Sequence, residues 1–258
     1  MNLQQAADQL GVHYQTVYRW VREGRLAASK VGATYEVHDA DVERFLQGRF
    51  TPAPPPERIH VRRWDQLLER FLRLLREGQE LEARLLVERL VNGQVATIDI
   101  CENLIAPSLR SLGEQWHDGV LSIAWEHRGT AIVERTLSRM TAHPRGRPRG
   151  TVVVSTLPGD THALPGMMAA LVLRDDRWRV HHLGCDLPVE ETVRAVYETS
   201  ADLVVISVTY QRSSQLTELT RRLQATGAVL LVGHAGGSLT ELVEQARRAS
   251  ASKRGSAP

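Results

Sequence analysis

Asp160 and His162 stand two residues apart in the loop Leu157-Pro-Gly-Asp-Thr-His162. In such a pair the carboxylate accepts one ring N–H, which fixes the imidazole tautomer and makes the other nitrogen a more basic metal ligand. A histidine in a strand-to-helix loop can also project above the carboxyl edge of a sheet, where a large planar ligand has room. A plain loop hydrogen bond would use the same two residues. Farther along, Ser207-Val-Thr209 and Gly233-His-Ala-Gly-Gly237 each follow a short apolar run. Their small and hydroxyl side chains line the same edge as His162 and leave a slot beside it.

A second group is Trp116-His117-Asp-Gly-Val-Leu-Ser-Ile-Ala-Trp-Glu126-His127. An indole and a carboxylate brought together across a helix-to-helix turn could stack on a nucleoside and hydrogen-bond to its ribose or base. A packed interfacial tryptophan beside a solvated Glu-His pair is the other reading of the same residues. A third group lies near the amino terminus. In Tyr14-Gln-Thr-Val-Tyr-Arg-Trp-Val-Arg22 the inward positions are Val17 and Val21, so Gln15, Thr16, Tyr18, Arg19 and Arg22 share an exposed face that can reach base edges and phosphates. Arg25 and Lys30 extend that basic surface.

These residues need three kinds of scaffold. Residues 1–50 read as a compact helix-turn-helix unit. Leu3, Ala6, Ala7 and Leu10 make one helix face, Gly11 ends it, and Lys30 to Val37 resembles a hairpin wing turning near Gly32-Ala33. A closing helix starts near Asp39. Residues 51–62, with Thr51-Pro-Ala-Pro-Pro-Pro56, break any helix and read as a linker. From 63 to 143 apolar residues recur at helical spacing, and Gly78, Asn92-Gly93 and Asp118-Gly119 divide the segment into a four-helix bundle.

After a polar stretch the period changes. Over 150–250, β-branched runs at Thr151–Ser155, Arg179–Leu183, Leu203–Val208 and Ala228–Val232 alternate with helices near Gly166–Arg174, Glu190–Glu198, Leu216–Gln224 and Leu239–Ala249. That pattern predicts a doubly wound parallel sheet with its ligand site at the strands' carboxyl ends. No fifth strand is evident after Ala249, and residues 251–258 read as a disordered tail. The expected fold class is therefore multidomain α and α/β: a winged helix-turn-helix, a four-helix bundle and a flavodoxin-like, Rossmann-like parallel-sheet domain.

Composition narrows the function classes. With 42% hydrophobic and 24% charged residues, the chain can build ordinary cores. Met1 to Gln9 form no apolar or Arg-rich leader, and no apolar run reaches the roughly 18 residues of a membrane span, so a cytoplasmic protein without membrane partners is expected. Cys101 and Cys185 are far apart and lack CxxC spacing, which argues against a disulfide framework or a structural zinc. A net charge of +2 does not by itself mark a nucleic-acid binder, so that case rests on the local arrangement above.

The amino-terminal "LGV", "TVYRWVREGRL" and wing resemble MerR-related, excisionase-like winged-helix domains. The Asp160-x-His162 loop, Ser207-x-Thr209 and the late glycine pair resemble the cobalamin-binding domain of methionine synthase and the isomerases, as does Leu183-Gly-Cys-Asp-Leu-Pro188. Pro165 holds the position where that family has glycine, and Gly166 lies one residue late. With W-x9-E-H placed between the two domains, nearly the whole chain resembles CarH-type adenosylcobalamin photoreceptor regulators.

The resemblance implies adenosylcobalamin as cofactor. It makes His162 the lower cobalt ligand with Asp160 behind it, and Trp116 and Glu126 the cap over the adenosyl group. His117 becomes the upper ligand after photolysis. His127, Gly166, Ser207, Thr209, Gly233, Gly236 and Gly237 complete the implied cofactor-binding set. It further implies a non-enzymatic repressor that binds a double-stranded operator as a homotetramer in the dark and falls into smaller species in light. Two alternatives keep the cofactor: a light-independent sensor of cobalamin level, and a corrinoid carrier for methyl transfer.

Overall fold

The computed structural model describes residues 1–22, 26–31, 34–46, 63–140, 146–209, 213–234 and 236–255. The chain divides into two compact units, 1–58 and 59–258. In the first, α1 (Leu3–Leu10) opens with a reciprocal cap. Asn2 Oδ1 accepts the Gln5 N–H at 2.9 Å while Gln5 Oε1 accepts the Asn2 N–H at 2.9 Å. Gly11 then takes a left-handed φ of 65°, a conformation that costs glycine little and turns the chain toward α2 (Tyr14–Arg22). Strands β1 (Ser29–Val31) and β2 (Thr34–Glu36) pair antiparallel as the wing, and α3 (Asp39–Leu46) follows. Leu3, Ala6, Ala7, Val17, Leu26, Val37 and Val42 are buried together as its core. The wing's turn at Gly32-Ala33 and the Pro-rich linker lie outside the described residues.

The second unit starts with the bundle: α4 (Trp64–Glu77), α5 (Glu80–Asn92), a third helix, and α8 (Ile123–Arg139). The third helix is not uniform. It runs as α6 (Thr97–Ile100), a π-helical turn over Cys101–Ile105, and α7 (Ala106–His117). Phe71, Leu75, Ile100, Leu104, Ile105, Leu112, Ile132 and Leu137 are fully buried at its centre.

The α/β part follows in the order β3 (Thr151–Thr156), α9 (Ala163–Asp175), β4 (Arg179–His182), α10 (Val189–Thr199), β5 (Leu203–Val208), α11 (Ser213–Leu223), β6 (Val229–His234) and α12 (Leu239–Gly255). The four strands are parallel in the order β4-β3-β5-β6. Every residue of β3 and β5 is buried, as continuous Val/Ile/Leu runs in a sheet covered on both faces require. Residues of α9 and α12 share one core with the bundle, whereas α10 and α11 pack on the other face with Val153, Val204 and Ile206.

Two differences from the sequence reading have clear causes. Helix α9 begins at Ala163 rather than near Gly166. Pro165 is tolerated there because it sits in the first turn, where a backbone N–H has no helical acceptor to lose. Residues 251–255, read as disordered tail, continue α12, since no glycine or proline interrupts Leu239 to Arg254. Residues 256–258 lie outside the described part. Among the described residues no strand follows β6; the next element is α12, which packs beside α9.

Candidate cofactor site

The sheet order reverses between β4-β3 and β3-β5, and the loops leaving β3 and β5 part there into a crevice, the usual ligand position in open α/β sheets. His162 lies in this crevice as the residue preceding α9. Its Nδ1 is 2.8 Å from Asp160 Oδ1, and its side chain is 43% exposed, so Nε2 is the nitrogen that would meet a metal. Asp160 is only 1% exposed and both of its oxygens are used. Oδ1 also accepts the His162 N–H at 3.1 Å, and Oδ2 accepts the Thr209 N–H at 2.9 Å. Burial would raise the Asp160 pKa. The hydrogen bonds from the Thr209 N–H and from His162 outweigh it, and the carboxyl is held below its ordinary range.

The loop itself is braced. Thr156 Oγ1 donates to the Asp160 carbonyl at 2.5 Å and accepts the Asp186 N–H at 2.8 Å. Asp186 Oδ1 in turn accepts the Gly159 N–H at 2.6 Å. The loop Leu183–Pro188 therefore clasps the loop that carries His162. Thr156 and Asp186 were absent from the sequence-derived set. The Asp before Leu-Pro in a strand-to-helix loop was the signal that could have found the second.

Beside this crevice a cavity of about 630 Å³ opens between the bundle and the α/β part. Of the expected slot residues, Ser207, Gly233, Gly236 and Gly237 line it, and His234 joins them. A Cβ on Gly233 would lie 3.9 Å from the Ile206 carbonyl, so the room there is real but not generous. Two expected residues have other roles. Thr209 braces Asp160 through its backbone. Gly166 is buried against β4, where a Cβ would come within 3.3 Å of His182 Nε2; Pro165 takes the place on the cavity wall.

On the bundle, α7 ends at Trp116-His117 and α8 begins six residues later. Trp116 is 47% exposed and His117 is exposed as well. Glu126 is tucked in, accepting Thr130 Oγ1–H at 2.8 Å, while His127 stands 73% exposed with Nε2 3.7 Å from Glu126 Oε2. Trp125 stacks under the Arg128 guanidinium, 4.2 Å from the ring centre. Among the described residues no cluster of three or more His, Cys, Asp or Glu could hold a metal ion. Both cysteines are free, and burial pushes the Cys101 thiol up to about 12.

In the amino-terminal unit Gln15 is exposed, Thr16 partly so, and Tyr18 is 37% exposed. The Tyr18 ring stacks near Tyr14 at 6.3 Å and meets Tyr35 of the wing edge-on at 6.2 Å, so it fixes α2 against the wing. The side chains of Arg19, Arg22 and Lys30, and all of Arg25, lie outside the described part.

Three regions match known families: a helix-turn-helix domain over residues 1–49, and B12 binding domains over 67–140 and 150–251. The chain is 37% identical over 127 residues to the HTH-type transcriptional repressor CarH of Myxococcus xanthus, covering 48% of this chain and 42% of that one. It is 24% identical over 119 residues to the dimethylamine corrinoid protein of Methanosarcina barkeri, covering 45% and 56%. The chain thus spans about half the length of these curated relatives. The monomethylamine corrinoid protein of Methanosarcina barkeri superposes with a TM-score of 0.56 over 71% of this chain and 98% of that one, at 14% identity, which shows a shared fold.

The domain set defines a helix-turn-helix protein that carries a two-part B12-binding module. The first of these relatives is a helix-turn-helix repressor, and the domains matched here are a helix-turn-helix and two B12 binding domains.

Proposed function

We propose that this chain is a cytoplasmic transcription regulator that binds adenosylcobalamin, grips a double-stranded operator as a homotetramer in the dark, and releases it on illumination. The observation that carries the reading is the Asp160–His162 pair. It is a half-exposed imidazole held in one tautomer by a carboxylate that is itself fully hydrogen-bonded, beside a cavity suited to a nucleotide tail. This donor set fits a corrinoid, which carries its own metal and would be held through His162 with Asp160 behind it.

Bound cofactor supplies a light-sensitive cobalt–carbon bond. The chain does the rest. Asp160 accepts the Nδ1–H and orients Nε2 of His162 toward the lower face. Ser207, Gly233, Gly236 and Gly237 leave room for the tail. Trp116 offers a ring face, and Glu126 a carboxylate, to the upper adenosyl group. His117, exposed at the end of α7 beside Trp116, would offer an imidazole to the cofactor after illumination. Light then alters assembly by the difference in cofactor interaction between two arrangements of the subunits. Losing simultaneous contacts to DNA removes an effective-concentration gain of roughly 100-fold or more.

The test is reconstitution with adenosylcobalamin, followed by absorbance, size-exclusion and operator-binding measurements before and after green light. A spectral change with loss of the large species and of DNA binding is expected. Cofactor binding without a light response would leave a cobalamin-level sensor. The shared corrinoid-protein fold favours one reading of another class, a methyl carrier; the helix-turn-helix domain weighs against it, and methyl transfer without DNA binding would establish it.

A further inference from the structure

Glu102 lies in the π-helical turn Cys101–Ile105 of the bundle, yet its carboxylate is occupied entirely by the other domain. Oε1 accepts from Ser238 Oγ at 2.8 Å and from the Thr240 N–H at 2.9 Å, and Oε2 accepts from Thr240 Oγ1 at 2.9 Å. These donors form the start of α12, where backbone N–H groups have no helical acceptor and the helix dipole favours negative charge. Ser238 Oγ meanwhile accepts the Glu241 N–H at 3.2 Å, so the helix start is capped from its own chain and from the bundle at once. Burial would raise the Glu102 pKa, and the bonds from Thr240, Ser238 and the Leu239 N–H bring it below its usual range, so the carboxylate is charged at neutral pH.

The position of this contact gives it meaning. Glu102, Ala106 and Leu109 form the bundle side of the cavity, while Ser207, Gly233 and Leu242 form the α/β side. Glu102 and Ser238 both line it, so the contact is a seam in the cavity wall. Midway along its length α12 is held independently, by Arg247 paired with Asp176 at 2.7 Å. The N-terminal end is therefore where α12 can part from the bundle without leaving the sheet.

We propose that Glu102 is a positioning residue, an interdomain latch that closes the wall of the tail cavity, so that an occupied cavity and a bundle seated on α12 favour each other. The inference rests on the corrinoid reading above. It makes Glu102 selective: the latch matters for a corrinoid that carries a nucleotide tail and not for one that lacks it.

The test compares full-length wild type with Glu102→Ala and Glu102→Gln. Titration with aquocobalamin should show about tenfold weaker binding for Glu102→Ala, the loss expected for hydrogen bonds to a charged group, and a smaller loss for Glu102→Gln, which keeps an acceptor oxygen. Dicyanocobinamide, which has no nucleotide, should bind all three alike. In the apoproteins, hydrogen exchange at Ser238–Leu242 should run about tenfold faster in Glu102→Ala. Equal losses for both corrinoids, or unchanged exchange, would overturn the latch. Wild type that takes up neither corrinoid would instead refute the corrinoid reading, while the exchange comparison would still decide whether Glu102 holds the seam. Should Glu102→Ala not fold, Glu102→Gln carries the same comparison between the two corrinoids.

Discussion

The loop bearing His162 and the turn bearing Trp116 are built on opposite plans. Around His162 the chain has already spent its hydrogen bonds: Asp160 is buried with both oxygens engaged, and Thr156 and Asp186 brace the loop from beneath. Around Trp116 the side chains face water, with Trp116 47%, Trp125 49%, Ile123 53% and Val120 74% exposed. The first region is organised before any ligand arrives, and the second leaves its apolar surface open. An exposed apolar group of this kind marks a surface meant to be covered. The contrast teaches where change is cheap: the loop under His162 is held by a closed set of hydrogen bonds, while the turn bearing Trp116 has few contacts of its own to lose.

The comparison can be broken most directly at position 162. His162→Ala should weaken corrinoid uptake by more than about 100-fold and abolish the spectrum of a histidine-ligated cobalt; unchanged titration and spectrum would end the reading. Asp160→Asn should cost about 10- to 100-fold in uptake while leaving the histidine in place. It should also lower the stability of the apoprotein by about 1–3 kcal/mol in denaturant melts, because an amide NH₂ would then face the His162 or Thr209 donors.

Trp116→Ala sharpens the other half. Being half exposed, it should change apoprotein stability by no more than about 0.5 kcal/mol. Competition titrations should show its preference for adenosylcobalamin over methylcobalamin falling by roughly two- to tenfold, the worth of one aromatic stacking partner. Arg19→Ala and Arg22→Ala should leave both corrinoid regions untouched. Each should reduce the slope of log operator affinity against log salt by about 0.9 if the side chain contacts a phosphate.

Period and punctuation made the architecture readable. Val152, Val154, Val204 and Ile206 announce buried parallel strands, and Gly78 and Gly119 mark helix ends that the structure places at positive φ. The Asp160–His162 pair was readable because both partners lie in one loop. What escaped notice depended on distant pairs. Thr156 with Asp186 is thirty residues apart, and Glu102 with Thr240 is 138, so neither pairing lies within one stretch of sequence. The π turn was hidden for another reason: one extra residue in a helical turn barely disturbs the apolar pattern of Ile98, Cys101, Leu104 and Ile105. Pro165, which stands where the resembled family has glycine, falls in the first turn of α9 and on the cavity wall, a placement that depends on where the helix starts.

The direct run from β6 into α12 has a consequence for how this molecule must be handled. Among the described residues no further strand lies alongside Val229–His234, which ends the four-stranded order with one flank of its backbone unmatched by β5 and contains neither proline nor lysine nor an acidic residue to discourage a newcomer. Such a flank is a sticky border, so crowding during expression or refolding should be felt there.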